Sequence, residues 1–479
     1  MAANFLHGVE TIKSNAGNRP VKLVKSAVTG LVGIAPIGAV NVPILVAADK
    51  DMAQFGVDLP GFTIISALDA NFDQGRPTSG VVVVINVLDP AIHKTAVANE
   101  DVIFNASNDL AALAHPAVAD LVLKSGDGLV TYTKDVDYTL APLTGKLTRK
   151  AGGTIALGAT VKAASYNYAD PTKVTPADII GGINAAGNRT GMQAFLDTYS
   201  LMGFFPKRLI APVFCTLNSV ATEMIAMANR LRARAYIDAP IGITRAQAIA
   251  GRGPMGTINF NTSAGRAKLF YPHVKVYDAA TNSERMEPLS QRAAGIGNAI
   301  DIEKGYWWSQ SNNEIAGITG MERTISAMIN DPNCDANLLN EVGITTVFNN
   351  FGTGLRLWGN RMASWPANTD PETFECVLAV GDIIDESIEY FSLQYTDNPG
   401  SKAWADSITE SVNGFLRKLR KDGAIVDGRC WFDPADNTVE EMAAGHYVFS
   451  RDYMPPTPAE RITHKTRVNI DYLNNLLKR

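Results

Sequence analysis

The sequence predicts a multidomain chain of mixed class, α/β plus α+β, on three observations. Its 479 residues exceed what one hydrophobic core of about 100 to 200 residues accommodates. Short apolar runs alternate with helix-periodic segments in the opening and the middle, and a stretch of closely spaced β-rich runs interrupts them. The last part of the chain carries two long amphipathic helices followed by strand-like stretches. These shifts divide the chain into an N-terminal arm (1–26), the first part of an α/β core (27–95), an inserted small all-β domain (96–172), a central α/β domain (173–354), a C-terminal α+β domain (355–454) and a C-terminal arm (455–479).

In the first arm, Val9 to Ile12 is one short extended candidate, and Ser14 to Pro20 is polar and turn-forming. Such a segment buries no face of its own, so a disordered terminus and a strand awaiting a partner's sheet edge stand side by side. Val28 to Ala35, Ile44 to Ala48 and Val81 to Val87 read as strands, the last buried on both faces. Phe62 to Phe72 has helical spacing at Ile65, Leu68 and Phe72.

From Leu121 to Tyr168 the pattern becomes β, with runs at Leu129–Tyr132, Tyr138–Leu140, Lys146–Thr148, Thr154–Leu157 and Val161–Tyr168 separated by glycine turns. The α/β signature then resumes. Helices are expected at Thr190–Met202 and Ser219–Arg234, and strands at Arg208–Ala211 and Ala235–Ile237. Helices at Thr373–Leu393 and Ala403–Lys421 follow, the second with an apolar stripe at Trp404, Ile408, Val412, Phe415 and Leu419. Strands are expected near Gly423–Phe432, Gly445–Asp452 and Arg461–Ile470. Pro455, Pro456 and Pro458 make a stiff connector before the last of them.

Composition removes several function classes. With 43 basic against 48 acidic residues and a net charge of -5, the chain has no basic footprint for a nucleic-acid partner. Cys215, Cys334, Cys376 and Cys430 form no CxxC pair, so buried free thiols are expected rather than a zinc site or a disulfide framework. The segment Met1 to Gly8 lacks the charged and apolar regions of an export signal, and no apolar run reaches the roughly 18 residues of a membrane span. A soluble protein made in a reducing compartment is expected.

Tests for an active site give little. His7, His93, His115, His273, His446 and His464 fall in no zinc-hydrolase spacing, and GxSxG and P-loop motifs are absent. Gly352, Gly354 and Gly359 have the glycine content of a dinucleotide loop at the wrong spacing and read as turn glycines. Asp238 follows the strand Ala235–Ile237, where α/β sheets place functional carboxylates; Asp238 capping the turn or the following segment, with Pro240 ending the strand, is the plainer reading. Ser309 to Asn313 is a hydroxyl and amide cluster without a nearby His or Lys, which suits a hydrogen-bonded turn. No catalytic, cofactor or metal residue is assigned.

Taken in order, Arg232–Pro240, Phe270–Asp278, Pro288–Ser290 with Ala294 and Gly295, Trp308–Asn312, Leu339–Thr346 and Trp358–Arg361 resemble the contractile tail sheath family of bacteriophages and related injection machines. The resemblance continues through Asn413–Ile425 and, more loosely, back to Gly30–Pro36; Gln310 and Met362 depart from the commoner family residues. It implies a subtilisin-like fold without proteolysis for the central domain, a virion component assembled in the host cytoplasm, and no cofactor. Hexameric rings are expected to stack into a helical sheath around a tail tube protein, with baseplate and tail terminator proteins as further partners and neither nucleic acid nor membrane insertion.

The family's strand exchange implies inter-subunit strands at Val9, Glu10, Thr11 and Ile12 and at Ile462, Thr463, His464, Lys465, Thr466, Arg467 and Val468. By the same resemblance Ala403–Lys421 faces the tube, so Arg417, Lys418, Arg420 and Lys421 are the expected tube contacts; complementing the helix dipole is the plainer role for them. The alternatives are a hydrolase on the central α/β domain and another assembly protein such as a baseplate component.

Overall fold

The computed structural model describes residues 21–476 except 78, 254, 350, 351 and 353. The expected strand Val9–Ile12 lies outside the described residues. Val28–Gly33 (β1), Ile44–Val46 (β2) and Val81–Asn86 (β3) open the main sheet, with helix α1 at Ile64–Phe72. β1 and β3 are parallel, β2 pairs antiparallel with β3, and β3 is buried from Val82 onward on both faces.

Between β3 and the next helix, Lys94–Ile103 (β4), Leu110–Ala112 (β5), Val118–Ser125 (β6), Tyr138–Ala141 (β7), Lys146–Arg149 (β8) and Thr160–Ala169 (β9) form two three-stranded sheets, β4-β9-β6 and β5-β8-β7. They enclose their own core of Phe104, Leu123, Tyr138, Leu147 and Tyr166. The β region therefore starts at Lys94, well before Leu121, because β4 alternates half-buried and exposed residues and carries little apolar signal. Two expected strands are not formed. Thr154–Leu157 is a turn that tucks Ile155 into the core, and Leu129–Tyr132 contributes only the bridge of Thr131 to Lys124. Asp170 closes the neck of this region, accepting from the Thr95 hydroxyl (2.6 Å) and from the backbone N–H (3.0 Å) and hydroxyl (2.6 Å) of Thr172.

The chain returns through Pro176–Ile180 (α2), then a 3-10 segment Gly191–Asp197 and Thr198–Met202 (α3); the last two replace the single helix expected over Thr190–Met202. Then follow Arg208–Ile210 (β10), Asn218–Leu231 (α4), Arg234–Asp238 (β11), Arg245–Ala250 (α5), Ala267–Phe270 (β12), Val274–Asp278 (β13), Ser283–Glu287 (β14), Leu289–Glu303 (α6), Asn313–Glu314 (β15), Gly320–Met321 (β16), Asp335–Glu341 (α7), Ile344–Asn349 (β17) and Leu355–Trp358 (β18). The finished sheet runs β15-β18-β17-β12-β11-β10-β1-β3-β2. Its six central strands are parallel and its edges antiparallel.

Alternation along the strands sends Leu209, Ala235, Ile237 and Leu269 to the α4 face, and Ile210, Tyr236 and Phe270 to the face covered by α1 and α6. This is a three-layer α/β/α arrangement, with a core on each face of the sheet. Helix α6 is buried from Leu289 through Asp301. Gly295 and Gly297 allow that: a Cβ on Gly295 lies 2.4 Å from the Asn71 carbonyl oxygen of α1, and one on Gly297 lies 2.5 Å from Nε of Arg208.

Glu375–Ser392 (α8) and Lys402–Asp422 (α9) form the C-terminal layer with the antiparallel hairpin Asp427–Trp431 (β19) and Ser450–Met454 (β20) and the short helix Val439–Ala443 (α10). Ser401 caps α9 by accepting from the Trp404 N–H (3.2 Å), and Gly423, at φ 84°, ends it. Ile408, Val412, Phe415 and Leu419 of the expected stripe are buried against α8, with Trp404 half-buried beside them.

No strand forms over Arg461–Ile470; among the described residues this segment has no regular structure through Asn469, is mostly exposed and is in no sheet, and a 3-10 turn, Ile470–Leu476, follows. The expected strand residues Ile462, Thr463, His464, Lys465, Thr466, Arg467 and Val468 therefore pair with no sheet among the described residues.

Candidate assembly surfaces and a buried charge seam

Three neighbouring parallel strands begin with basic pairs: Lys207 and Arg208 at β10, Arg232 and Arg234 at β11, Arg266 and Lys268 at β12. Helix α8 carries Glu375, Asp382, Glu386 and Glu389 at steps of seven, four and three, one face of a helix, with Asp385 beside it. The two sets meet. Asp382 receives Arg266 through two hydrogen bonds (2.8 and 2.6 Å), Glu386 pairs with Lys207, Glu389 with Arg232 (2.5 Å) and Asp385 with Arg451 of β20.

At the buried end, Glu375 accepts from Lys268 (2.5 Å), the Tyr236 hydroxyl (2.5 Å) and Gln310 (2.6 Å), with Arg234 at 3.5 Å. Burial alone raises a carboxyl's pKa, but Lys268, Arg234 and Arg208 outweigh it and hold Glu375 at about 2. Arg208 turns the other way, gripping Asp301 of α6 through two 2.9 Å bonds and donating to Tyr236 (3.1 Å). The seam thus joins α6, the starts of three strands and α8. Sequence reasoning missed it because an acidic stripe on an amphipathic helix reads as a solvated face; the basic pairs repeated at three strand starts were the available signal.

The residues flagged for chemistry have structural roles. Asp238 caps neither its own turn nor the segment that follows it. Its wholly buried carboxylate reaches across to the first turn of α6 and accepts from the Ser290 N–H (2.9 Å), and burial pushes its pKa up. Asn259 donates to the carbonyls of Asp238 and Cys215 (2.7 Å each). Ser309 to Asn313 is a hydrogen-bonded turn: Ser309 donates to Asn360, Ser311 accepts from the Gly359 N–H (3.0 Å), and Asn313 donates to the carbonyls of Gln310 and Ser311 (3.0 Å each). Gly352 and Gly354 sit at positive φ in the β17–β18 connection, and Gly359 just past β18. All four cysteines are buried and free.

On α9 three of the four flagged cations are exposed and already paired within the chain: Arg417 with Glu410 (2.5 Å), Lys418 with Asp422 (2.9 Å) and Arg420 with Asp427 (3.3 Å). Lys421 is exposed beside them.

The C-terminal arm is rooted at Arg361. This guanidinium donates to both oxygens of Glu460 (3.0 and 2.7 Å to Oε2, 3.2 Å to Oε1) and to Thr373 (2.7 Å), and it lies 3.5 Å from the Phe374 ring centroid. Beyond Glu460 the arm follows a cleft of about 1580 Å³ walled by Trp308, Met328, Asn337 and Trp365. Both edges of the hairpin β19–β20 are unpaired among the described residues.

Comparison with known proteins gives a consistent answer. The family model described as phage tail sheath protein central domain matches residues 187–363, and the phage tail sheath C-terminal domain matches 369–469. The chain is 59% identical over 476 residues, 99% of each chain, to the tail sheath protein of Burkholderia phage BcepMu. It is 32% identical over 321 residues, 67% of this chain and 79% of the relative, to a putative prophage major tail sheath protein of Pseudomonas aeruginosa. Among solved structures, the anti-feeding prophage helical sheath in its contracted state shares the fold at 16% identity with a TM-score of 0.60, over 98% of this chain and 100% of that one. The PVC sheath complex, also contracted, matches at 12% identity and 0.59, over 98% and 99%.

Proposed function

We infer what this chain does from one premise: it belongs to the phage tail sheath protein family, and it is a contractile tail sheath subunit, a structural component of the virion and not an enzyme. The subunits polymerise as a helix of hexameric rings around a tail tube, between baseplate and terminator proteins, and are assembled in the host cytoplasm. The observation that carries the reading is the arm: Ile462 to Val468 reads as a strand and pairs with no strand among the described residues, in a chain whose hairpin β19–β20 has both edges unpaired among those residues. An extended peptide added to such an edge satisfies backbone groups across subunits. Val9, Glu10, Thr11 and Ile12 are assigned the same role at the other end.

The seam supports a division of labour. Five carboxylates of α8 paired with sheet-side and hairpin cations couple the C-terminal layer to the subtilisin-like central domain, so the two move as one body while the arms stay connected. The region 96–172 is an outer domain, and α9 faces the tube through Arg417, Lys418, Arg420 and Lys421. Rims of this kind set register and break easily, which suits a contact that must release on contraction. The extended state is metastable, and contraction runs on new subunit contacts.

Thr466→Pro tests the strand role. Thr466 is exposed, so the monomer's melting temperature is expected to stay within about 1 °C, while polymerisation is lost because proline removes a ladder donor. Full polymerisation of that variant refutes donation by this segment.

A further inference from the structure

Along the seam, Lys207 pairs with Glu386, Arg208 with Asp301, Arg232 with Glu389, Arg266 with Asp382, Lys268 with Glu375 and Arg451 with Asp385. Arg234 is left over. The carboxylate beside it, Glu375, is already taken by Lys268 and lies 3.5 Å from the Arg234 Nε. The Arg234 side chain is 3% exposed, and its buried Nε has no hydrogen-bond partner among the described residues.

This guanidinium borders a cavity of about 10 Å³ that is also walled by Arg208, Lys268, Asp301, Glu375 and Tyr306. The buried Tyr306 hydroxyl is a second group without a hydrogen-bond partner among the described residues. The two carboxylates are committed elsewhere: Glu375 accepts from Lys268, Tyr236 and Gln310, and Asp301 holds Arg208 through both oxygens. Three cations against two carboxylates leave one positive charge around a space the size of one water or one small ion. A buried charge without a counter-charge is costly, and a buried donor without an acceptor adds to that cost. We propose that the cavity is a binding site for a single monovalent anion of halide size, chloride in ordinary buffers, held by Arg234 and Tyr306. The space is too small for phosphate or sulfate, and a water fills it without supplying the missing charge. The ion completes the charge balance where α6, the strand starts and α8 meet, which makes the attachment of the C-terminal layer halide-dependent.

The test compares the full, unsubstituted chain with Arg234→Gln. Raising chloride about a hundred-fold at constant ionic strength, with gluconate making up the difference, is expected to raise the parent's melting temperature by about 2 °C or more and to leave that of Arg234→Gln unmoved. A parent that does not respond, or a variant that responds equally, overturns the proposal. If the variant does not fold, crystals of the unsubstituted chain grown in bromide decide: an anomalous peak between Arg234 and Tyr306 is expected, and a water at that place, with bromide only at surface sites, overturns it. Neither readout requires polymerisation, so the outcome is independent of the sheath reading.

Discussion

Lys268, at the start of the third basic strand, is wholly buried and donates to Glu375, the first residue of α8, at 2.5 Å. This pair sits where the sheet meets the C-terminal layer, so its energetics report on whether the two halves are one body. Glu375→Gln leaves buried cations without their counter-charge and is expected to cost about 3 kcal/mol at pH 7, read from urea denaturation.

The pH dependence of that loss has a definite sign. Glu375 titrates at about 2 in the folded chain against 4.5 ordinarily, so its contribution is present above about 4.5 and disappears as pH falls toward 2. The stability gap between the parent and Glu375→Gln should narrow over that window and stay flat from pH 5 to 8. A gap that is constant down to pH 2 contradicts the assignment.

Gly295→Ala sets a methyl against the Asn71 backbone at 2.4 to 2.9 Å. Neither helix can yield easily, since α6 is buried on all sides. A loss of about 2 kcal/mol or more is expected from overpacking; an unchanged denaturation midpoint shows that α1 and α6 do not approach this closely.

Arg361→Ala removes the root of the arm. Limited trypsin digestion should cut at Arg461 several-fold faster, with about 1 to 2 kcal/mol lost in the body from the missing hydrogen bonds and ring contact. Cleavage at the parent rate means Glu460 is not held as described.

Arg417→Glu with Lys421→Glu should abolish co-assembly with the tube while the monomer stays folded, because both side chains are exposed. Arg417 already pairs with Glu410, so its reversal also places two like charges together at the surface, a cost of a few tenths of a kcal/mol. Normal sheathed tails from this variant refute the tube contact.

The main elements were legible wherever burial and periodicity agree. β3 and α9 show this: one is a continuous apolar run, the other a stripe with a serine cap and a glycine stop. What escaped was polar. β4 is mostly half-buried or exposed, with only Val102 fully buried, and the carboxylates of α8 look solvated until the basic strand starts are folded against them. Asp238 was noticed for its position after a strand, yet its partner Ser290 is 52 residues away in sequence, a distance that local reasoning does not bridge. The arm illustrates the reverse case: its residues read as a strand, and among the described residues they pair with no sheet.

Electron microscopy of the purified full-length chain tests the central claim most directly. Hollow, striated cylinders with six subunits per ring, formed without nucleotide, are the expected result. Monodisperse particles that never polymerise, or polymerisation that requires nucleotide hydrolysis, contradict it.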